Sequence, residues 1–381
     1  MRVLHMLDSL NRGGTEVLAL DVCRNASAND MELTFVATGG GALEEEFRRS
    51  GAEFVRLERR LPVDLDLAAR LRRIVEERDV RVVHCHQAVE ALHALLATRR
   101  TRARCVLSFH LLEADAKNRV ALRFVVPRMG MCVAVSHDLL ARLETETGYT
   151  KRGSFRVVHN GIDARRLRSA GDARALRREL GVEDDALLFG MVGNFYPDGR
   201  KDPLTACRAL PTLFERVPRA RFLFVGARDA AAPRLFDECV RFCRDERIAD
   251  RVHFLGARAD VPEVLTALDV FVLSSRREGF GIAAVEAMLA GVPAVLSDIG
   301  PLKEVSGGGR YAQLFACGSA EDLARALMEL ACDDARRARL AASAREWATS
   351  RFSIEAHIES LKSLYEELAG GQRVLQTRSP V

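Results

Sequence analysis

The stretch SSRREGFGIAAVEAMLAGVPAVLSDIG at 274–300 decides the fold. An apolar strand runs into Ser274 or Ser275, and a glycine-punctuated loop, Glu278-Gly279-Phe280-Gly281, follows. The pattern then predicts a helix over Ile282–Leu289, with Gly291–Pro293 turning the chain into the next strand. Strand, glycine loop, helix, strand is the repeating unit of a parallel sheet covered by helices. The loop also has a chemical reading. The first amides of a helix lack partners within the helix and attract phosphate oxygens. Glu278 sits in the loop, and Glu286, about one turn into the helix, is placed to accept hydrogen bonds from vicinal hydroxyls. A carboxylate, amides and a helix dipole together suit a nucleotide-sugar. Capping and surface charge are the bland alternative for the two glutamates.

Working outward, the same unit recurs in both directions. After residue 186 come ALLFGMVG (186–193), RFLFVG (221–226), RVHFLG (251–256), DVFVLSS (269–275) and VPAVLSD (292–298). Three of these strands end in glycine, where a ligand or a helix start can approach closely. Before residue 161 lie VLHML (3–7), LTFVAT (33–38), VRVVH (80–84), CVLSFH (105–110), MCVAVS (131–136) and SFRVVHN (154–160), with helical patterns such as LAARLRRIVEER (67–78) between them. A polar, charged break at 161–186, punctuated by Gly171 and Gly181, separates the two series. The expectation is two α/β domains, 1–165 and 166–350, joined by a linker, with the cleft between them as the default ligand site. Ile354, Ile358, Leu361, Leu364 and Leu368 form one helical stripe within 351–370, and 371–381 reads as a frayed tail.

Composition sets the bounds. The 381 residues are 48% hydrophobic and 29% charged, which supports packed cores and excludes disorder as the main state. No apolar run approaches a membrane span, and the start, MRVLHMLDSL, reads as a first strand rather than a signal peptide. The net charge is +4, with 26 basic and 22 acidic residues in 1–165 and 31 of each in the rest. That is no footprint for nucleic acid. The small basic excess of the first half, with helices such as LAARLRR (67–73) and NRVALRF (118–124), leaves room for peripheral contact with anionic lipid. The nine scattered cysteines do not form a disulfide framework and imply a reducing compartment, hence a cytoplasmic protein; the basic excess leaves open a place at the inner face of the membrane.

Further candidates lie at other strand ends. LDSLNRGGTE (7–16) carries Gly13 and Gly14, which permit positive φ or a close ligand approach. It is not the dinucleotide fingerprint G-x-G-x-x-G. VGNFYPDGRKDP (192–203) places Arg200 and Lys201 after Gly193, where two cations would neutralise a leaving diphosphate. Lys201 is one of only five lysines. His110 ends a strand before a loop and faces the expected cleft, whereas His5 and His253 read as structural. His84 and His86 share a strand end without a carboxylate to complete a metal set. Asp64-Leu65-Asp66 precedes a helix and reads as a cap rather than a metal–diphosphate motif. Neither a P-loop nor a G-x-S-x-G elbow is present.

In order along the chain, RGGTE (12–16), the His110 strand end, AVS (134–136), HNGID (159–163), VGNF with Lys201, VGA (225–227), HFLG (253–256), EGFGIAAVEAM (278–288) and AGVP (290–293) resemble the glycogen-synthase-like, group 1 family 4 glycosyltransferases. The resemblance covers nearly the whole chain. It implies a GT-B fold of two facing Rossmann-like domains, with a C-terminal helix crossing back onto the first. It implies a retaining hexosyltransferase using a UDP- or GDP-linked sugar on a glycan, glycolipid or polysaccharide-precursor acceptor, without a metal or other cofactor. Glu286 then matches the ribose-binding glutamate and Glu278 the one near the sugar hydroxyls. Arg200 and Lys201 match the phosphate-binding pair, Gly14 lies near the diphosphate, and His110 contacts the sugar. Ser136 and Asn160 line the first-domain side. The sequence departs from the family at Asn194, which stands just after Gly193, where arginine is often found shortly after that glycine; Arg200 then supplies the charge from another backbone position. Other functions on the same plan are a nucleotide-sugar epimerase or hydrolase, and an inactive sugar-binding or scaffold protein.

Overall fold

The computed structural model describes residues 1–112, 116–168, 173–228 and 233–370. The 371–381 tail and Gly171 lie outside the described residues. The chain forms two compact units, one of Met1–Ile162 with the chain from Ile354 onward, the other Asp163–Ser353.

The first unit is built on a seven-stranded sheet: β1 (Arg2–Leu7), β2 (Glu32–Ala37), β3 (Glu53–Arg56), β4 (Val82–Cys85), β5 (Arg104–Phe109), β6 (Met131–Ala134) and β7 (Phe155–Val157). The order is β3-β2-β1-β4-β5-β6-β7 and every pairing is parallel. Strand order reverses beside β1, so the crevice at the carboxyl ends of β1 and β4 is where such a sheet takes ligands. All four residues of β4 are buried, as expected of a strand covered on both faces. Helix Leu65–Glu77 opens on Asp64, whose carboxylate accepts the Leu67 N–H at 2.9 Å. The Asp-Leu-Asp run is a cap there.

The C-terminal helix Ile354–Ala369 belongs to this unit. Its stripe of Ile354, Ile358, Leu361, Leu364 and Leu368 is buried with Val3, Leu7, Leu18 and Val22 in one core. Tyr365 is fully buried beside them. The chain leaves the unit at Ile162 and re-enters at Ile354, and these two residues pair, Ile354 N–H donating to the Ile162 carbonyl at 3.0 Å.

The second unit has six parallel strands: β8 (Leu188–Val192), β9 (Arg221–Val225), β10 (Val252–Phe254), β11 (Val270–Leu273), β12 (Ala294–Ser297) and β13 (Gln313–Phe315). Their order is β10-β9-β8-β11-β12-β13, with the reversal beside β8. The segment read from sequence as a plain linker instead carries helices Ala164–Arg168 and Ala173–Glu179. Single leucines, Leu167 and Leu176, bury them, and Arg177 donates to Ala267 O and Asp269 Oδ2, each at 3.0 Å. One buried leucine per turn amid arginines is too sparse a pattern to announce a helix.

All nine cysteines are unpaired, and seven are buried. Among the described residues no helix is long and apolar enough to cross a membrane.

Candidate functional site

In the second unit the carboxyl edge is assembled from glycine-ended strands. Gly226 follows β9, and a Cβ there would lie 2.1 Å from the Gly193 carbonyl oxygen, so these strand ends pack backbone against backbone. Gly193 in turn meets the aliphatic stem of Lys201, with a would-be Cβ 3.4 Å from Cδ. Lys201 therefore lies across the end of β8. Its Nζ is 2.6 Å from Glu278 Oε1, and the Ser275 hydroxyl donates to the same oxygen at 2.7 Å. Glu278 and Ser275 are buried at the end of β11, the strand beside β8. The two residues assigned from sequence to phosphate and to sugar hydroxyls are thus in direct contact.

Arg200 takes a different position. Its Nε lies 3.0 Å from each carboxylate oxygen of Asp198, and its guanidinium rests over the Tyr196 ring at 4.5 Å. Arg277 also reaches Asp198, at 2.9 Å. Asp198 was not singled out from sequence as the partner of these cations. Asn194, the departure from the family pattern, uses its Oδ1 to accept the Ala227 N–H at 2.8 Å, which ties the ends of β8 and β9 together.

Past Glu278 the chain turns through Gly279, the buried Phe280, which meets Phe352 edge to face, and Gly281 at φ +102°. A side chain at Gly281 would also strike Leu302, 2.6 Å away. Glycine is required on both counts. Helix Ile282–Ala290 then begins with no side-chain cap and no acidic residue in its first turn, a start suited to anions. Glu286 is buried and ion-paired to Arg166. Arg166 sits on the short helix Ala164–Arg168 and was not singled out from sequence. Its one signal is a basic residue just past HNGID.

In the first unit, a cavity of about 160 Å³ opens where β4 and β5 end, lined by Thr15, Glu16, His86, Gln87 and His110 among others. Of the two readings of Gly13 and Gly14, positive φ does not occur: Gly13 is extended at φ −143°, and Gly14 begins helix Gly14–Asn25. A Cβ at Gly13 would meet the movable end of the Glu16 side chain, with Oε2 2.5 Å away. Burial raises the Glu16 carboxyl above its ordinary range, and this residue too was missed.

His110 Nε2 lies 2.9 Å from His86 Nδ1. Behind them, His84 is held at both ring nitrogens, by Tyr365 and by Ser108 Oγ at 2.7 Å, and His5 Nε2 reaches the same phenol at 3.0 Å. Ring nitrogens of His5, His84 and His86 come within 4.8 Å of one another; both His84 nitrogens are engaged by Tyr365 and Ser108, while His5 Nδ1 and His86 Nε2 are buried without a hydrogen-bond partner. Burial pushes His110 down to about 4 and His5 to about 3, so these imidazoles are neutral near pH 7. Asn160 Oδ1 is buried against the same cluster, and Ser136 is buried with its Oγ accepting the Leu139 N–H at 3.1 Å. A larger hollow of about 700 Å³ opens at the amino ends of β1–β3, away from these residues.

Two family models match the chain, "Glycosyltransferase Family 4" over residues 12–166 and "Glycosyl transferases group 1" over 172–347. A D-inositol 3-phosphate glycosyltransferase of Actinosynnema mirum is 31% identical over 303 residues, 74% of this chain and 72% of that protein. An N-acetyl-alpha-D-glucosaminyl L-malate synthase of Bacillus anthracis is 27% identical over 81% of this chain and 80% of that protein. The fold matches the Anabaena HepE structure in complex with UDP and glucose, with a TM-score of 0.80 at 22% identity over 96% of this chain and 99% of that one. The chain is a GT-B protein of two Rossmann-like units, and it belongs to the group 1, family 4 glycosyltransferases.

Proposed function

We propose that the protein transfers a hexose from a UDP- or GDP-linked sugar to a hydroxyl acceptor with retention of anomeric configuration. The observation that carries this reading is the Lys201–Glu278–Ser275 contact at the ends of β8 and β11, beside an uncapped helix start. Breaking the bond from C1 to the phosphate oxygen leaves negative charge on the diphosphate. Lysine has three N–H groups, so Lys201 can hold Glu278 and still donate to that oxygen. The new bond from the acceptor oxygen to C1 forms on the same face, and the acceptor's proton passes to the departing phosphate oxygen. Glu286 takes the ribose, Arg200 and the Ile282–Ala290 helix start share the diphosphate with Gly14 and Gly193, and His110 takes a sugar hydroxyl. No carboxylate base is needed, and two-carboxylate glycosidase logic does not apply.

The donor needs no metal in this reading. The one D-x-D run has its first aspartate occupied by the Leu67 and Arg60 amides, and the cations Arg200 and Lys201 serve the diphosphate instead.

For the acceptor, a lipid-linked or glycan substrate met at the inner face of a membrane is favoured by Leu61, Val63, Leu65, Val120 and Phe124. These exposed apolar side chains share two first-unit segments with the exposed Arg60, Arg119 and Arg123. The names of the two relatives favour a second reading, a small hydroxylated acid or polyol phosphate. A screen of nucleotide-sugars for binding and slow hydrolysis, followed by transfer to both acceptor classes and flotation with anionic vesicles, tests the proposal. Donor consumption without transfer to any acceptor indicates a hydrolase or epimerase. Absence of nucleotide binding indicates an inactive scaffold.

A further inference from the structure

His110 ends β5, and its Nε2 lies 2.9 Å from His86 Nδ1. A contact of that length between two imidazoles holds one proton, with one nitrogen donating and the other accepting. When both rings are neutral, the tautomer of one fixes the tautomer of the other. Their rings also overlap, with centroids 5.2 Å apart and planes tilted by 28°.

The two partners are not equally constrained. His86 is held from behind and from below. Its ring stacks on His84 at 4.7 Å and 18°, and His84 is pinned at both nitrogens by Tyr365 and Ser108. Its backbone N–H donates to Glu90 Oε2 at 2.9 Å. Tyr365 lies on helix Ile354–Ala369, so the anchoring runs from the C-terminal helix through His84 to His86. His110 opens a loop, and the nearest ring nitrogen fixing its orientation is that of His86. Both imidazoles face the 160 Å³ cavity at the carboxyl edge.

We propose that His86 is a positioning residue: its Nδ1, hydrogen-bonded to His110 Nε2, holds the ring orientation in which His110 is presented to the donor sugar. This rests on the reading of His110 as the sugar-contacting histidine. Burial keeps both rings neutral across the working pH range, so the proton between them is not lost to a charged form. A ring turned out of that orientation would mismatch the sugar hydroxyl it reaches, because a hydroxyl can rotate to suit either ring nitrogen but cannot follow a displaced ring. That mismatch matters most as the sugar distorts toward the transition state.

The test compares His86→Phe, which keeps the stack on His84 and removes the nitrogen, with His86→Asn, whose amide occupies the place of Nδ1. The readouts are kcat and donor KM for the wild type and both variants, and the ring ¹⁵N spectra of selectively labelled protein. His86→Phe is expected to lower kcat by about 10- to 100-fold, the scale of a misplaced reacting group, with donor KM within about threefold. His86→Asn is expected to recover most of the loss. The His110 Nε2 resonance is expected at a hydrogen-bonded shift in the wild type and in His86→Asn, and displaced from it in His86→Phe. Equal loss of kcat in both variants, or an unchanged His110 Nε2 shift in His86→Phe, overturns the proposal. If the wild type turns over no nucleotide-sugar, the functional reading fails instead, and the spectra still decide whether His86 holds the His110 ring.

Discussion

Lys201 and Glu278 lie seventy-seven residues apart in sequence and 2.6 Å apart in space, Nζ to Oε1, at the ends of adjacent strands. In the proposed reading the pair sets the cation for the leaving group against the carboxylate for the sugar. As the diphosphate departs, its oxygen gains charge, so a fixed cation stabilises the transition state more than the intact donor. Lys201→Ala is expected to lower kcat by about 10²–10³-fold with a smaller rise in donor KM. Lys201→Arg separates charge from shape. Steady-state kinetics with saturating acceptor decide the matter. A rise in KM alone would make Lys201 a binding contact and move the leaving-group role to Arg200.

Glu286 and Arg166 form the second such pair, and both are buried or nearly so. Ribose hydroxyls do not change during the reaction, so the losses here belong to binding. Glu286→Gln is expected to weaken UDP or GDP by about 1.5–3 kcal/mol per charged hydrogen bond lost. Arg166→Ala, which removes the guanidinium ion-paired to the buried Glu286, is expected to weaken the nucleotide as well, with partial recovery in Arg166→Lys. Calorimetry with both nucleotides measures this, and unchanged affinity in Glu286→Gln removes the ribose assignment.

Eight of the nine histidines fall in the first unit, all except His253. Burial pushes His5 to about 3, His110 and His357 to about 4, and His84 and His86 well below the ordinary range. Each of these groups binds a proton near pH 6.5 when unfolded and resists it when folded. Stability is therefore intact above pH 6.5 and is lost progressively as pH falls toward the lowered folded-state values. Hydrogen exchange at pH 7.5 and 5.0 should show the first unit losing protection before the second. The reverse order would contradict the account.

Turnover is expected to persist in excess EDTA, because Arg200, Lys201 and the helix start supply the positive field for the diphosphate. Complete loss of activity restored by Mn²⁺ or Mg²⁺ would show that these groups are insufficient.

Sequence made the central strands legible because β4, β8 and β11 are continuous apolar runs, and it marked the glycine-ended edge where Gly193 and Glu278 stand. It did not reveal β3 or β13. EFVR is half polar, and QLF is three residues long, too short to establish a period at the edge of a sheet. Family resemblance selected His110, Lys201, Glu278 and Glu286 individually, but pairings depend on distance in space. Asp198 as the partner of Arg200, Arg166 as the partner of Glu286, and Glu16 folded over Gly13 have no spacing signature in the chain. The glycines of RGGTE illustrate the limit from the other side, since their residue type allowed positive φ and neither adopts it.

The hydrogen bond from Ile354 to Ile162 means that the first unit reads, topologically, as a host carrying a guest. Residues 163–353 enter and leave through adjacent points on one backbone ladder, so the guest is contiguous and the host's wound is a single hydrogen bond wide. A gene encoding only 163–353 should yield the second unit intact. Joining 162 to 354 through a few-residue turn should close the host, with Tyr365 still supplied to His5 and His84. A simple truncation after 162 would instead strip the first unit of Ile354, Ile358, Leu361, Leu364 and Tyr365 at once, leaving an open apolar face prone to aggregation.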